Sequence, residues 1–140
     1  MKDKAVKSSV VTVPQLDCLS FLRHGFGDLS WGERNLRELA DRLDFKPIFL
    51  KQVHSDVVQF IDEVPQQKLW GDAAVTCLPG LLLVIKTADC LPVVLVEEKK
   101  RVIAAVHCGW KGTSQRVLEK LGRASWMERG YISVVSVSVK

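Results

Sequence analysis

Three short runs of valine, leucine and isoleucine at the centre of the chain constrain its fold more than any other feature. They cover positions 81–88, 92–96 and 101–107 and are separated by turn-forming residues. Apolar runs of this length are typical of strands that are buried on both faces. We therefore expect three buried strands of a sheet that is covered on both sides.

The flanking sequence predicts two helices. Ser30 and Glu33 have the spacing of a capping box, and leucines at helical spacing follow them, so a helix is expected over about 31–43. Thr113 is placed to begin a second, short helix that ends at Gly122. Segments 47–61 and 131–140 are rich in β-branched residues and are expected to be extended.

Length and composition exclude several classes of protein. With 140 residues, 47% of them hydrophobic, the chain is long enough for one core, and we expect a single domain over residues 1–140. Twenty basic residues against 16 acidic ones are spread along the chain, so no nucleic-acid partner is expected. The sequence has no signal peptide and no apolar run of membrane-spanning length, which predicts a cytoplasmic protein without a membrane partner. The four cysteines have no C-x-x-C spacing and are expected to be reduced thiols.

His107 ends one of the apolar runs, and two cysteines compete as its partner. Cys108 follows directly, but successive side chains of a strand point to opposite faces. If the chain folds as a hairpin that turns between Glu98 and Lys99, Cys90 lies directly opposite His107. Opposed residues have Cβ atoms about 4.5–5.5 Å apart, which suits one metal ion or a Cys–His couple. A core histidine beside a small buried cysteine is the alternative.

Several separated blocks of the sequence resemble one known family. The chain is identified as a member of the laccase-domain family, also called YfiH-like or polyphenol-oxidase-like, whose members are regarded as purine nucleoside phosphorylases. The blocks stand in family order and cover roughly residues 20–122. They read RHGF at 23–26, KQVHSDVV at 51–58, GDAAVT at 71–76, TADCLPVVL at 87–95 and AAVHCGWKG at 104–112.

The resemblance implies an α+β fold in which mixed β-sheets pack between helix layers. It also implies zinc-dependent phosphorolysis of adenosine, inosine, guanosine or methylthioadenosine, with the purine nucleoside and phosphate as the partners of the chain. Adenosine deamination, copper-dependent polyphenol oxidation and a role in peptidoglycan editing are attached to the family as well. Carried over by motif, the zinc ligands fall on His54, Cys90 and His107, with copper as the other possible metal.

This ligand set has a chemical consequence. Two imidazoles and one thiolate leave a tetrahedral zinc ion with an open fourth position, which is the signature of a catalytic site. Zinc in such a site lowers the pKa of a water molecule to about 7, which suits deamination. We expect Cys90, His107 and Asp89 to be the catalytic residues.

For phosphorolysis the site must also hold an anion, and Gly109, Lys111 and Gly112 are the predicted phosphate-binding residues. Glycines let the backbone approach closely, a helix from Thr113 presents free N–H groups, and Lys111 adds positive charge. A glycine turn that only precedes a helix is the alternative. Arg23 is a further predicted anion contact, although an exposed arginine beside a strand is equally ordinary.

Three further residues have a structural and a functional interpretation. Asp72 is expected to form a turn rather than to orient a histidine or bind the nucleoside. Trp110 either stacks on a purine or packs beneath the glycine turn. His24 is expected to be structural rather than a ligand.

The chain departs from the family pattern in two places. Asp28 and Leu29 stand where the family has a Thr-Arg pair, so the chain lacks that arginine and, if it binds phosphate or nucleoside in the family, that contact as well. The family's later blocks, an Ile-Gly-Pro turn and a Cys-Tyr-Glu segment, are absent, and we expect an incomplete version of the family domain, truncated at its C-terminus. Two other functions therefore stay open: a cysteine hydrolase that uses Cys90 and His107, and a catalytically inactive metal-binding protein.

Overall fold

The computed structural model describes residues 10–28 and 30–124, apart from the side chains of residues 122–124. Leu29 and the segment 131–140, which was expected to be extended, lie outside the described residues. The helices and strands are, in chain order, β1 (Val10–Val11), α1 (Pro14–Asp17), β2 (Phe26–Gly27), α2 (Glu33–Arg42), β3 (Lys46–Phe49), β4 (Val58–Ile61), β5 (Ala73–Thr76), β6 (Leu81–Val84), β7 (Leu91–Glu97), β8 (Val102–Cys108), α3 (Trp110–Ser114) and α4 (Val117–Ala124).

Two sheets carry most of the fold. β3 and β6 pair in parallel and form what we call the small sheet. The large sheet has the strand order β4-β5-β8-β7, in which β4 and β5 are parallel and the other two pairs are antiparallel. β1 and β2 form a separate antiparallel pair.

The sheets lie face to face between two helices because their strands are apolar on both sides. In β6, Leu82 and Val84 pack towards α2, whereas Leu81 and Leu83 pack towards the large sheet. In β8 the alternate residues Ile103 and Ala105 face the small sheet, and the intervening ones face α4. The order of layers is therefore helix, sheet, sheet, helix, and the predicted α+β class with sheets between helix layers is confirmed.

The three central runs are strands, but the prediction that they share one buried sheet is wrong. β6 belongs to the small sheet, and only β7 and β8 pair with each other. β8 is buried along its whole length because β5 and β7 flank it and both of its faces are covered. β7 is the edge strand of the large sheet and is only partly buried, with Leu91 exposed.

The predicted hairpin between β7 and β8 exists, but its predicted register is wrong. Pro92, not Cys90, pairs with His107, and Leu91 pairs with Cys108. The connection between Glu97 and Val102 holds four residues instead of two. A Glu-Lys pair does not favour the tight turns that join strands through two residues, whereas the longer loop accommodates Arg101 at a φ of 52°. The shift amounts to two positions on one strand, so it leaves Cys90 and His107 on the same face.

Helices lie in both of the regions where they were predicted, but they begin at residues other than the predicted ones. The capping box does not form: α2 begins at Glu33 after Gly32, and the backbone N–H of Ser30 donates instead to Asp28.

α3 begins three residues before Thr113, and a left-handed Arg116 separates it from α4. Gly122 does not end α4, which continues to Ala124. Within residues 10–28 and 30–124, none of the helices has the length and apolarity needed to cross a membrane.

Candidate metal centre

One end of the large sheet brings together the three residues that the sequence singled out as metal ligands. Cys90 directly precedes β7, and His107 is the penultimate residue of β8. Because β8 is antiparallel to β7, its end lies beside the start of β7. His54 comes from the loop that leads into β4, at the same end. One ligand atom from each of His54, Cys90 and His107 lies within 4.8 Å of the other two.

We call His54, Cys90 and His107 the ligand cluster. Solvent exposure differs among its three members. His107 is 3% exposed, Cys90 is partly buried and His54 is exposed. The two imidazole rings stand edge to face, with centroids 4.8 Å apart and an angle of 78° between their planes. The cluster is thus anchored in the inter-sheet core and open to solution on the His54 side.

Asp72, directly before β5, is the buried polar residue that organises this cluster. Its side chain is completely buried, and its Oδ1 lies 2.7 Å from Nδ1 of His107. The same carboxylate accepts hydrogen bonds from the backbone N–H groups of Val53, His54 and Ser55 at 2.7–3.2 Å, and from the Ser55 hydroxyl at 2.7 Å. One side chain therefore holds two of the three members of the cluster.

The hydrogen bonds determine the charge of Asp72. Burial raises the pKa of this carboxyl, but the hydrogen bonds from His107, from Ser55 and from the Val53 backbone lower the pKa by more, so it lies below its usual range. Asp72 is consequently an anion at neutral pH. A buried anion without hydrogen-bond partners would be strongly unfavourable, and the four N–H and O–H donors of the His54 loop, together with the contact with His107, explain why it is tolerated.

The backbone of His54 shows how strongly this loop is fixed. His54 has a φ of 59°, in the left-handed region that non-glycine residues seldom adopt. Such a conformation costs on the order of 1–3 kcal/mol and persists only where the surroundings enforce it. Here the N–H bonds to Asp72 from His54 and from both of its neighbours enforce it.

Two glycines at the start of α3 let the backbone approach the cluster. A Cβ at Gly109 would lie 3.2 Å from Cδ2 of His54, 3.5 Å from Sγ of Cys90 and 3.8 Å from Cε1 of His107. A Cβ at Gly112 would lie 2.7 Å from the carbonyl oxygen of Ser55, on the loop that carries His54. These glycines therefore leave room for the cluster and for its loop.

The remaining predicted site residues fall into different places. Lys111 is exposed in the first turn of α3, with Nζ 5.6 Å from the ring centroid of Trp110. The N–H of Thr113, predicted to be free for an anion, donates to the Gly109 carbonyl, because the helix begins earlier than expected. Asp89 is exposed beside Cys90, and Arg23 is exposed in the segment between α1 and β2.

Several choices between structural and functional interpretations are decided by burial. The prediction that Asp72 merely forms a turn is wrong, because its carboxylate is buried against His107 and the His54 loop. Trp110 does not pack beneath the glycine turn, since it is 74% exposed. His24 is structural: it is buried, and its Nε2 accepts a hydrogen bond from the Val13 backbone at 2.7 Å.

Cys108 is confirmed as the wrong partner for His107. Together with Val106 it packs towards Val117 of α4, on the opposite side of the large sheet from the ligand cluster. Burial raises the pKa of its thiol, so that it stays protonated and unreactive at neutral pH.

Comparison with known proteins shows the family to which the chain belongs. A sequence profile described as multi-copper polyphenol oxidoreductase laccase matches residues 23–134, which include every member of the ligand cluster. The chain belongs to this family. Among solved structures, the laccase-family chain is similar to the Neisseria meningitidis protein NMB0706, with a TM-score of 0.61 and 30% identity over 67% of this chain and 39% of that one.

Curated relatives of the laccase-family chain are named purine nucleoside phosphorylases. One from Clostridium acetobutylicum is 43% identical over 90 residues, which are 64% of this chain and 38% of the relative. Another, from Pseudomonas aeruginosa, is 35% identical over 113 residues, which are 81% of this chain and 46% of the relative. The chain spans less than half the length of either relative.

Proposed function

We propose that the chain binds one zinc ion through His54, Cys90 and His107 and contributes this centre to a purine nucleoside phosphorylase. The observation that carries the proposal is the convergence of three ligand atoms within 4.8 Å at an open end of the large sheet. The names of the curated relatives supply the reaction type.

The residues present fit zinc. Nitrogen and sulfur donors in a three-ligand set suit this ion, and copper is the second candidate that the same donors accept. A Cβ at Gly109 would lie within 4 Å of all three side chains, so the glycine leaves them the space in which they converge. Asp72 on the far nitrogen of His107 is the carboxylate–histidine arrangement that orients imidazole ligands in metal sites.

The chain's own residues then have separate duties in phosphorolysis. Zinc, when bound, supplies a Lewis acid at the mouth of the site. His107 and Cys90 form the buried side of the site, whereas His54 forms its exposed side.

Two exposed residues are assigned to the substrates. We assign Lys111 to the phosphate, because it is an exposed cation two residues from Gly109. We assign Trp110 to the purine face, because its ring is exposed.

We propose roles for the other predicted contacts as well. Gly109 and Gly112 admit the backbone to the site, and Arg23 is a candidate second cation for phosphate. Asp89 is a candidate contact for the nucleoside beside Cys90. Substitution of Asp89 by asparagine, with Asp62→Asn as an exposed control, tests that role through the Michaelis constant for the nucleoside.

Product analysis tests the proposed reaction. The zinc-loaded chain is incubated with adenosine and inorganic phosphate, and the products are separated by chromatography. Phosphorolysis yields adenine and ribose 1-phosphate, whereas deamination yields inosine. Cys90→Ser is expected to abolish product formation, and Cys18→Ser, at an exposed cysteine outside the site, serves as its control. Zinc binding without adenine or inosine would contradict the proposal and would leave an inactive metal-binding protein.

One observation favours a second function. Cys90, His107 and Asp72 stand in the order of a nucleophile, a base and the group that orients the base, as in cysteine hydrolases. A hydrolase of this kind has no use for His54 in the cluster. Alkylation by iodoacetamide, located by mass spectrometry, separates the two functions: in a zinc enzyme added zinc protects Cys90, whereas in a hydrolase the modification is unchanged by zinc. Buried Cys108 is expected to stay unmodified in both cases.

A further inference from the structure

The two carboxylate oxygens of Asp72 serve different parts of the cluster. Oδ2 accepts hydrogen bonds from the N–H groups of Val53 and Ser55 and from the Ser55 hydroxyl. Oδ1 accepts the N–H of His54 and lies 2.7 Å from Nδ1 of His107. The first oxygen therefore fixes the loop, and the second joins that loop to the imidazole on β8.

The contact with His107 has only one chemically sensible proton arrangement when the imidazole is neutral. An ionised carboxylate accepts hydrogen bonds and cannot donate them. The proton of the neutral imidazole must therefore be on Nδ1, which leaves Nε2 with a free lone pair. Only a nitrogen with a free lone pair binds a metal ion.

We propose that Asp72 is a positioning residue that selects the coordinating atom of His107: it holds the Nδ1–H tautomer before any metal arrives, so that Nε2 is ready to bind. The same carboxylate holds His54 in its left-handed conformation. Asp72 thereby prepares two ligands from segments that are far apart in the sequence. This inference rests on the proposed metal site, but its first readout needs no metal.

Replacement of Asp72 by asparagine is expected to reverse the tautomer of His107, because an amide has one group that accepts hydrogen bonds and one that donates them. The amide oxygen is expected to take the place of Oδ2, where three donors converge. The amide NH2 group then takes the place of Oδ1, where it donates to Nδ1 of His107 and can no longer accept the N–H of His54. The His107 proton must then be on Nε2, through exchange with solvent, and the nitrogen that should bind the metal is blocked.

Nitrogen-15 NMR of the metal-free protein tests this proposal directly. At about pH 8, where an ordinary imidazole is neutral, long-range 1H–15N spectra distinguish protonated from bare ring nitrogens. The wild-type chain is expected to show His107 as the Nδ1–H tautomer, and Asp72→Asn is expected to show it as the Nε2–H tautomer. His24 is the internal reference, because its Nε2 accepts the Val13 N–H and its tautomer stays the same in both proteins.

Chelator competition then measures the consequence for the metal. Loss of the group that orients a histidine ligand typically weakens metal binding about 10–100-fold, and we expect Asp72→Asn to fall in this range. Ser55→Ala removes a hydrogen bond to Oδ2 but leaves the His107 contact, so it is the matched control and is expected to keep the Nδ1–H tautomer.

The outcomes are separable. An Nε2–H tautomer of His107 in the wild-type chain would overturn the inference, whatever the chain binds, and this spectrum remains decisive if Asp72→Asn fails to fold. An unchanged His107 tautomer in a folded Asp72→Asn chain would overturn it as well. The expected tautomers in a chain that binds no zinc would support the role of Asp72 and contradict the proposed metal site alone.

Discussion

At the scale of single residues, the least conspicuous member of the site is a glycine. Gly109 contributes no side chain, yet a Cβ at this position would contact His54, Cys90 and His107 together. Its φ of −76° and ψ of 167° are accessible to any amino acid, so its importance lies in space and not in backbone freedom. The sequence predicted Gly109 as a phosphate-binding residue or as part of a plain turn, and it gave no sign that three ligand side chains would lie against this position.

Gly109→Ala should therefore weaken zinc binding without unfolding the chain. The added methyl group would lie 3.2 Å from the His54 ring and must push it outward, and a displaced ligand lowers affinity. We expect at least about a tenfold loss of zinc affinity, the lower end of the range for disturbed metal sites, with nearly unchanged urea denaturation.

Gly32→Ala is the matched control for this substitution. Gly32 precedes α2 with almost the same backbone angles, φ −71° and ψ 170°, and a Cβ there would have ample space. It is expected to leave zinc affinity unchanged. Equal affinities for Gly109→Ala and the wild-type chain would show that the glycine does not limit the site.

The sequence predicts the ligand cluster better than it predicts the residue that organises it. His54, Cys90 and His107 were found because their residue types are rare and stand in recognisable blocks. Asp72 acts across 35 positions in the sequence, and its partners are mostly backbone N–H groups, which leave no side-chain pattern. Its position directly before a buried strand was the available signal, and turn formation explained that position equally well.

At the scale of secondary-structure elements, ion pairs and cation–π contacts as well as apolar contacts join α2 to the small sheet. Glu33 forms ion pairs with Arg37 at 2.7 Å and with Lys86, just beyond β6, at 3.1 Å. Both cations also lie over the ring of Phe49 on β3, at 4.7 and 5.4 Å from its centroid. Glu33 thus joins a helix to the strands beneath it.

The contribution of Glu33 to stability should depend on pH. The hydrogen bonds from Arg37 and then from Lys86 lower the pKa of Glu33 below 4.5. Because the folded pKa lies below the unfolded one, the stabilisation is complete above about pH 4.5 and is lost as the pH falls through the lowered value. Glu33→Gln should reduce the free energy of unfolding by about 0.5 kcal/mol at pH 7, a value held down by solvent screening of these half-exposed groups.

Urea denaturation at a series of pH values checks this prediction. The difference between the wild-type chain and Glu33→Gln should shrink as the pH is lowered below 4.5. Glu38→Gln breaks a more exposed pair with Arg34 and should have a smaller effect. A difference that stays constant down to pH 3 would mean that the ion pairs of Glu33 do not stabilise the fold.

Strand parity was predictable from the sequence, whereas strand register was not. The alternation of side chains along β8 correctly placed Cys108 and His107 on opposite faces. The register depends on the length of the loop between Glu97 and Val102, for which local turn preferences gave no firm answer. The register error did not affect the prediction that Cys90 and His107 lie on the same face, because a shift of two positions keeps every side chain on its face.

At the scale of the whole molecule, the layered architecture explains why the cluster lies at one end of the large sheet. Strands β7 and β8 run in opposite directions, so the start of one and the end of the other meet there. The inter-sheet core buries His107 and Asp72, while the loops at this end leave His54 in solvent. The curated relatives named purine nucleoside phosphorylases are more than twice as long as the matched region.

Metal content tests the central claim most directly. The chain is equilibrated with zinc, and gel filtration removes the excess metal. The number of zinc ions per chain is then measured by inductively coupled plasma mass spectrometry. We predict about one zinc ion for the wild-type chain and for Cys18→Ser, the single-ion capacity of a three-ligand site. His54→Ala, Cys90→Ser and His107→Ala should each fall to background. A wild-type chain without zinc, or variants that retain it, would contradict the account.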